Sequence, residues 1–431
     1  MRILWLTQTP ANASELLNYN NPGCGWISSL QNYLMDEKSI TLGLCFFLRH
    51  DQFKIEYKNV TYYPLKQKYT SLTGKIYQKF SSALYDVNTE GLQKVLDDFK
   101  PDIIHLFGTE TGMGEILELT KIPVVIHLQG LINPCTYAWL PKGVSKWQVL
   151  FNSPIKSIIF RTGYYFEHKF FKKRGIREKK IISNCQLFFG RTHWDKNYIR
   201  LYKDQFRYIK CEEMLRPSFY NRHWNNHPDT ELKIVTTINP YLFKGLEIIL
   251  ETAKILKEKL NFNFKWTILG INQDHELVRL VEKLVKTRFS HNGIILAGAK
   301  DEESLIQELL SSNIYIHPSH IENSPNSICE AMLLGMPIIA GNVGGISTII
   351  QHEKTGILYN SHDPYELAGR ILEFYDSPSE LIAYGKNARM LAQTRHNPKE
   401  IVRTVVNTYR EILGESNSRQ SKASECSLTT A

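Results

Sequence analysis

Short apolar runs alternate along the chain with segments in which apolar residues recur every three or four positions. The first pattern is typical of buried parallel strands and the second of amphipathic helices. In the first half the runs predict strands over 2–6, 41–47, 103–106, 124–128 and 187–189. In the second half they predict strands over 233–237, 265–269, 293–296, 314–316, 337–340 and 356–359.

Helical patterns fill the gaps between these runs. They lie over 26–36, 72–99, 155–171, 244–258, 275–287, 302–311 and 326–334. Alternation of strands and helices predicts parallel sheets with helices on both faces. Two such series predict an α/β protein of two Rossmann-like, doubly wound domains that face a central cleft.

The polar, proline-bearing segment 212–230 shows neither period and predicts a linker. It separates an N-terminal domain over 1–211 from a C-terminal domain over 231–385. Helical patterns continue over 386–414. The last segment, 415–431, is rich in Ser, Thr and Lys, which predicts a disordered tail.

Composition narrows the class of protein. A chain of 431 residues is long enough for two ordinary domain cores. The seven cysteines are scattered without a Cys-x-x-Cys pair, which predicts reduced thiols in a cytoplasmic protein and no zinc site. The first residues carry one basic side chain and a short apolar run, which indicates a strand and not a signal peptide. The net charge of +9 permits an anionic partner without naming it.

The stretch 317–347 predicts a strand end, a polar loop, a helix, a second strand and a paired-glycine turn. The start of a helix offers free backbone N–H groups and a partial positive charge, which favour phosphate. Two carboxylates, Glu322 and Glu330, flank this corner. They would repel a phosphate unless they face hydroxyl groups, so the pattern predicts a site for a sugar nucleotide.

Three further positions could contact such a ligand. Lys244 stands where a loop enters a predicted helix and could reach a diphosphate as a point charge, although a solvated surface lysine would have the same pattern. Gly23 and Gly25 precede the helix over 26–36, where glycine permits close approach of a ligand to the backbone. A plain tight turn is an equal alternative for this pair.

His127 ends a strongly apolar predicted strand and is expected to point toward the cleft. His105 has the same setting on the preceding strand and ranks below it. A core histidine that is hydrogen-bonded to the backbone is the alternative for both.

Several of these positions together resemble a known family. Glu322 and Glu330 are separated by seven residues and are followed by an apolar helix, a Gly335-x-Pro337 strand start and the glycine pair at 344–345. The chain therefore resembles the family 4 glycosyltransferases of the bacterial surface-polysaccharide type. These are retaining enzymes with the two-domain GT-B fold. The match covers about 234–375, whereas the first half agrees mainly in its pattern.

The resemblance implies roles for the residues of the corner. Glu330 would bind the ribose hydroxyls of the donor and Glu322 the hydroxyls of its sugar. The backbone amides of Asn326 and Ser327 would hold the diphosphate. Lys244 would neutralise the diphosphate as it leaves.

The resemblance also covers Gly23, Gly25 and His127, of which the glycines would contact the donor and the histidine would lie near the reacting carbon. In the family an arginine stands five residues before the lysine, but here that position is Asn239, which is expected to contact the donor without the positive charge of the arginine. The sequence has no Asp-x-Asp motif, which agrees with a metal-independent enzyme that needs no cofactor.

The implied activity is that of a hexosyltransferase. It would move a sugar from a UDP- or GDP-linked donor to a saccharide or lipid-linked saccharide in polysaccharide or glycolipid synthesis. The helices over 386–414 would return to the N-terminal domain, as in related proteins. Two alternatives stay open: a GT-B sugar-nucleotide epimerase, and an inactive homologue that binds polyanions or membranes. No nucleic-acid partner is expected.

The segment 145–180 combines ten basic residues with eight aromatic ones and only two acidic ones. A basic, aromatic helix can lie on an anionic membrane surface, which would make the protein peripheral on the inner face of the cell membrane. A solvated helix whose aromatic residues pack inward is an equal alternative.

Overall fold

The computed structural model of the protein describes residues 1–14, 16–17, 25–48, 54–66, 87–225, 231–260 and 263–428, without the side chains of 259–260 and 415–428. Two sheets form its framework, one of eight and one of six strands. Among the described strands every pair is parallel except one antiparallel hairpin, Ile55–Tyr57 with Val60–Lys66, at the edge of the larger sheet. The prediction of an α/β protein with two doubly wound parallel-sheet domains is therefore confirmed.

The N-terminal sheet has the spatial order β3-β4-β2-β1-β5-β6-β7-β8. Its strands are β1 (Arg2–Leu6), β2 (Thr41–Leu48), β3 (Ile55–Tyr57), β4 (Val60–Lys66), β5 (Ile103–Phe107), β6 (Val124–His127), β7 (Leu187–Gly190) and β8 (Arg207–Lys210). The order reverses between β1 and β5, which creates a crevice at the carboxyl ends of the strands.

The C-terminal sheet has the order β11-β10-β9-β12-β13-β14. Its strands are β9 (Leu232–Thr237), β10 (Phe264–Leu269), β11 (Ile294–Gly298), β12 (Ile314–His317), β13 (Ile338–Gly341) and β14 (Ile357–Tyr359). Here the reversal falls between β9 and β12.

Helices cover both sheets. In the described parts of the chain the α-helices are α1 (Gly25–Leu34), α2 (Thr89–Phe99), α3 (Ile116–Leu119), α4 (Ile132–Tyr137), α5 (Lys146–Asn152), α6 (Ile155–Ile159), α7 (Tyr164–Asn184), α8 (His193–Arg200), α9 (Leu246–Leu260), α10 (Glu276–Val285), α11 (Glu302–Ser311), α12 (Asn326–Leu334), α13 (Ile346–Ile349), α14 (Pro364–Asp376), α15 (Pro378–Arg395) and α16 (Pro398–Leu428). Within the described residues, no helix has the length and hydrophobicity needed to cross a bilayer.

Each predicted strand is present within one or two residues of its predicted bounds, but three strands were missed: β3, β4 and β8. Strand β4 contains Pro64 and polar residues, and β8 is a half-exposed edge strand with charged ends, so neither is a clean apolar run.

The single helix predicted over 155–171 is wrong. It breaks at Gly163, which begins α7 as its N-cap. Residues 72–86 of the helix predicted over 72–99 lie outside the described residues, and α2 begins after Asn88, whose side chain caps it.

The chain crosses back between the domains at its end. Helix α15 packs against α12 in the C-terminal core, with Ala388 and Ala392 buried, so the return begins at α16 and not at residue 386. Helix α16 packs on the N-terminal sheet, where the Tyr409 hydroxyl lies 2.6 Å from Nδ1 of His105. The structure describes a helical backbone to Leu428, whereas the sequence predicts a disordered tail over 415–431, of which residues 429–431 lie outside the described residues.

A part of the N-terminal half joins the C-terminal core. We call residues 132–171 the bridge segment. Its buried side chains Trp139, Tyr164 and Phe171 cluster with residues of the C-terminal domain. The ring of Trp139 lies 5.6 Å from that of Phe243, and the Tyr164 hydroxyl donates a hydrogen bond of 3.0 Å to the carbonyl of Pro240. These contacts hold the two domains together on one side of the cleft.

Candidate active site

A cavity of about 800 Å³ opens between the domains. Its wall combines the start of α1, the loops that follow β9, β10 and β11, the end of β12, the start of α12 and part of the bridge segment. The carboxyl ends of four strands of the C-terminal sheet therefore open onto this cavity, opposite the start of α1, and such strand ends are where ligands bind in folds of this kind. Its volume is in the range that accommodates a molecule the size of a nucleotide sugar.

The first charged group on the wall is centred on Glu322. Its carboxylate forms an ion pair with Lys244 and lies 3.3 Å from Nε2 of His317, while the hydroxyl of Ser319 donates to it at 3.0 Å. Burial alone would raise the pKa of Glu322, but the ammonium of Lys244 and then His317 outweigh burial and lower it to about 2. Glu322 is therefore an acceptor of hydrogen bonds at every physiological pH.

The backbone fixes Lys244 at this point. It ends a short 3-10 helix over Leu242–Lys244, and Gly245 follows with φ of 75°. A Cβ atom at Gly245 would lie 2.2 Å from the carbonyl oxygen of Pro318, so only glycine fits. The close contact between these two loops keeps Lys244 against Glu322.

The second charged group joins Arg216 to Glu330. The guanidinium donates two parallel hydrogen bonds, each of 2.8 Å, to the two carboxylate oxygens. Burial would lower the pKa of Arg216, but the adjacent Glu330 carboxylate raises it. A Cβ atom at Gly25 would lie 2.9 Å from Cδ of Arg216, so the glycine makes room for the arginine.

The start of α12 lines the same cavity as these two groups. Pro325 is its N-cap residue, and no acidic residue occupies its first turn. The N–H groups of the first turn have no partner within a helix, so Asn326 and Ser327 present donors at the positive end of the helix dipole. This end of the cavity is suited to an anion.

The structure brings together most of the residues that the sequence predicted. Seven of them line the cavity: Gly25, Asn239, Lys244, Glu322, Asn326, Ser327 and Glu330. Gly23 lies outside the described residues.

His127 is not among the residues that line the cavity, which corrects the expectation that it points into the cleft. Its ring is fully buried, stacks on His105 at 5.5 Å and has Nε2 3.3 Å from the carbonyl oxygen of Cys211. Because neighbouring side chains of a strand alternate between its two faces, the end of a strand does not by itself direct a side chain into the crevice. The alternative of a core histidine describes its setting.

Sequence reasoning missed Arg216, which lies in the segment 212–230 that was interpreted as a linker. It also missed Tyr164 and Glu167 of the bridge segment and Glu276 of α10, all of which line the cavity. Burial, assisted by Glu276 and opposed by Arg174, raises the pKa of Glu167 to about 7. The sequence around Arg216 shows neither the strand nor the helix pattern of apolar residues, so nothing in it predicted that Arg216 lies at the cavity.

Comparisons with known proteins agree with this geometry. Residues 221–391 match the model of the family described as glycosyl transferases group 1. An amylovoran biosynthesis glycosyltransferase, AmsK, of Erwinia amylovora is 24% identical over 193 residues, which cover 42% of this chain and 46% of that protein. The chain spans less than half the length of the curated relatives that it matches.

Solved structures resemble the chain over nearly its whole length. A sucrose-phosphate synthase from Thermosynechococcus elongatus superimposes with a TM-score of 0.69 at 16% identity, covering 96% of this chain and 100% of that chain. HepE of Anabaena, in complex with UDP and glucose, superimposes with a TM-score of 0.59 at 14% identity, covering 95% and 99%. At such identities the likeness concerns the fold alone. The chain has the GT-B fold, and its residues 221–391 match the glycosyl transferases group 1 family.

Proposed function

We propose that the protein is a retaining, metal-independent glycosyltransferase that moves a hexose-type sugar from a nucleoside-diphosphate sugar to a hydroxyl group of a saccharide or lipid-linked saccharide. The observation that carries the proposal is the position of two cations, Lys244 and Arg216, each paired with a glutamate on the wall of one cavity beside the start of α12. Cations and free amides suit a diphosphate, whereas carboxylates suit hydroxyl groups.

Two similar proteins support the class of donor and product. The Anabaena protein was solved with UDP and glucose, and the Erwinia relative is named for amylovoran biosynthesis. We therefore propose a UDP-sugar as the first donor to test, and polysaccharide or glycolipid synthesis as the setting.

The leaving diphosphate would be stabilised by fixed charges. Lys244 and the amides of Asn326 and Ser327 are held in place before the donor arrives, so they need little rearrangement as negative charge develops on the phosphate. Lys244 exchanges its contact with Glu322 for one with the phosphate, which also frees the Glu322 carboxylate for hydroxyl groups of the sugar.

Arg216 would supply the charge that the chain lacks at Asn239. Both residues line the cavity, and the guanidinium can bind two phosphate oxygens at once. Glu330 holds Arg216 through two hydrogen bonds and would accept hydrogen bonds from the ribose hydroxyls with its remaining lone pairs. The same carboxylate would thus position both the nucleoside and the arginine.

The reaction would break the bond between the anomeric carbon and the diphosphate oxygen. The acceptor oxygen would form its bond to that carbon on the same face of the sugar, so the anomeric configuration is retained. The departing phosphate oxygen would take the proton of the acceptor hydroxyl. Closure of the cavity by the bridge segment would reduce hydrolysis of the donor by water.

Binding of nucleotide sugars tests the proposal. UDP, GDP and a panel of their sugars are titrated by calorimetry and by thermal shift, because a ligand that binds the folded protein raises its melting temperature. We expect saturable binding by at least one sugar nucleotide. Lys244→Ala should weaken it about tenfold or more, whereas Lys254→Ala, which removes a partly exposed lysine outside the cavity wall of the same domain, should leave it unchanged. A panel without any saturable ligand would sink the proposal.

Turnover separates the remaining possibilities. Incubation of the bound donor without acceptor should leave most of it intact, whereas an epimerase would convert it. Metal independence is tested by the same transfer reaction in EDTA, where we expect an unchanged rate. A rate that falls in EDTA and returns with Mg²⁺ or Mn²⁺ would contradict that part of the proposal.

A further inference from the structure

We propose that an exposed apolar patch on the bridge segment docks the protein on an anionic lipid bilayer beside the mouth of the cavity. The patch consists of Tyr137, Trp147, Phe151, Ile155, Ile159 and Phe160, whose side chains are between 58% and 95% exposed. Six of the thirteen large exposed hydrophobic side chains in the described residues thus fall within residues 137–160. Concentrated exposure of this kind marks an interaction surface.

Most of the patch lies on the outward faces of α5 and α6, where the ring of Trp147 also stacks on that of Tyr165. In α5, Val149 is buried in the C-terminal core while Trp147 and Phe151, four residues apart, face outward with their rings 6.1 Å from each other. In α6, Ile155 and Ile159 repeat the same spacing and are also exposed. Each short helix therefore has one face fixed in the protein and a second, apolar face in solvent.

Contacts on the inner side hold both helices in this orientation. The Ser157 hydroxyl donates a hydrogen bond of 2.8 Å to Glu276, and the ammonium of Lys283 donates one of 3.1 Å to the carbonyl of Asn152. A surface held in advance loses little conformational freedom when it binds. The patch is therefore ready to insert without a rearrangement of the domain.

The charge around the patch identifies a bilayer as the partner. Residues 119–166 contain no Asp or Glu. The exposed basic residues of this region and the following turns are Lys142, Lys146, Lys156, Arg161, Lys169, Lys172 and Lys173. Aromatic and aliphatic side chains that insert at the headgroup level, surrounded by lysines, are the composition of segments that lie on anionic membranes. Each lysine near such a surface adds to the attraction, and salt screens it.

The position of the patch bears on the acceptor. Thr162, Tyr164 and Glu167, which follow α6 directly, line the cavity. Docking here would bring the cavity mouth next to the bilayer. If the proposed function holds, the acceptor would therefore be a lipid-linked saccharide whose hydroxyl group enters from the membrane. A water-soluble acceptor would need no such surface.

Sedimentation with vesicles tests the docking. The full chain is mixed with vesicles of phosphatidylcholine alone or with an equal share of phosphatidylglycerol, at low and high salt. We expect binding to the anionic vesicles that is about tenfold or more stronger than to the neutral ones and that weakens with salt. The triple variant Trp147→Ser, Phe151→Ser, Ile159→Ser should lose about tenfold or more of this binding.

The matched control is Leu201→Ser, Tyr365→Ser, Met390→Ser, which removes equally exposed apolar side chains outside the patch and should bind as the wild type does. Melting temperatures and UDP-sugar binding without vesicles should be unchanged in both triple variants. Vesicle binding therefore tests the docking surface, whereas UDP-sugar binding tests the donor site independently. The proposal is overturned if the wild type ignores anionic vesicles or if the patch variant binds them equally well. A third outcome would also overturn it: the wild type does not bind vesicles but associates with itself, and the patch variant does not. The partner of the patch would then be a second copy of this chain.

Discussion

Arg216 and Glu330 form a bidentate ion pair, with two hydrogen bonds of 2.8 Å each, across the boundary between the segment that joins the domains and the helix α12. The pair lies on the cavity wall, and a carboxylate of Glu302 lies 3.7 Å from the same guanidinium. An arginine that is oriented by two carboxylates and faces a cavity is well placed for an anion that enters later.

Arg216→Lys should weaken the binding of UDP and UDP-sugars about tenfold, because an ammonium cannot reproduce the two parallel hydrogen bonds of the guanidinium. Calorimetry measures the change. Arg222→Lys is the matched control, since Arg222 pairs with Glu303 in an exposed position of the same segment. In the Arg216→Lys background, Asn239→Arg should recover part of the lost affinity. Equal affinities of all four proteins would exclude Arg216 from the donor site.

Glu330→Ala and Glu322→Ala should separate nucleotide binding from turnover. Loss of Glu330 removes the carboxylate that would accept hydrogen bonds from the ribose hydroxyls, and it also removes the partner of Arg216. The affinity for UDP should therefore fall about tenfold to 100-fold. Loss of Glu322 should leave UDP affinity within about twofold but reduce transfer from the UDP-sugar about 100-fold, because its contacts are to the sugar. Binding is measured by calorimetry and transfer by release of UDP. The opposite pattern would reverse the two roles.

The sequence predicted the C-terminal domain more fully than the N-terminal one. Helices α11 and α12 were predicted with their observed bounds, because buried apolar runs and capping residues such as Asp301 define their limits. Strand β8, by contrast, has the sequence RYIK and lies at a sheet edge. Because two of its four residues are charged, it contains no apolar run that would predict a strand.

The same contrast applies to the site. Glu322 and Glu330 were assigned from their spacing, and they do line the cavity. Arg216 comes to the cavity through tertiary packing against Gly25 and Glu330, which are distant in sequence, so no local pattern could reveal it. The prediction that His127 points into the cleft was wrong for a different reason: its position at a strand end does not determine on which face of the sheet the side chain lies.

The stability of the protein should depend on pH through Glu322. Its pKa of about 2 in the folded state lies below the ordinary value of 4.5, so the folded protein binds this proton less tightly than the unfolded chain. The resulting stabilisation is present above pH 4.5 and is lost as the pH falls from 4.5 toward 2. A shift of this size corresponds to about 3 kcal/mol in the free energy of unfolding at neutral pH.

Urea unfolding between pH 7 and pH 3 measures this effect. The difference in free energy of unfolding between the wild type and Glu322→Gln should shrink as the pH falls below 4.5. Glu303→Gln, which removes an exposed carboxylate, should show a small and nearly constant difference. A constant difference for Glu322→Gln as well would mean that Lys244 does not hold the carboxylate ionised.

Trp139→Ala should destabilise the protein by about 3–5 kcal/mol, because it removes a fully buried indole and leaves a cavity between the bridge segment and the C-terminal core. The ring of Trp139 lies 4.6 Å from that of Phe171 in the bridge segment and 5.6 Å from that of Phe243 in the C-terminal domain, so its loss weakens the contact between domains as well as the packing within one. Scanning calorimetry should therefore show a lower melting temperature and two resolved transitions. Trp147→Ala, which removes an exposed tryptophan of the same segment, should change stability by no more than about 0.5 kcal/mol. If Trp139→Ala unfolded in one transition at the wild-type temperature, the aromatic contacts of the bridge segment would not be what holds the domains together, and the closed cavity would have to depend on the polar contacts of Tyr164 and Ser157 instead.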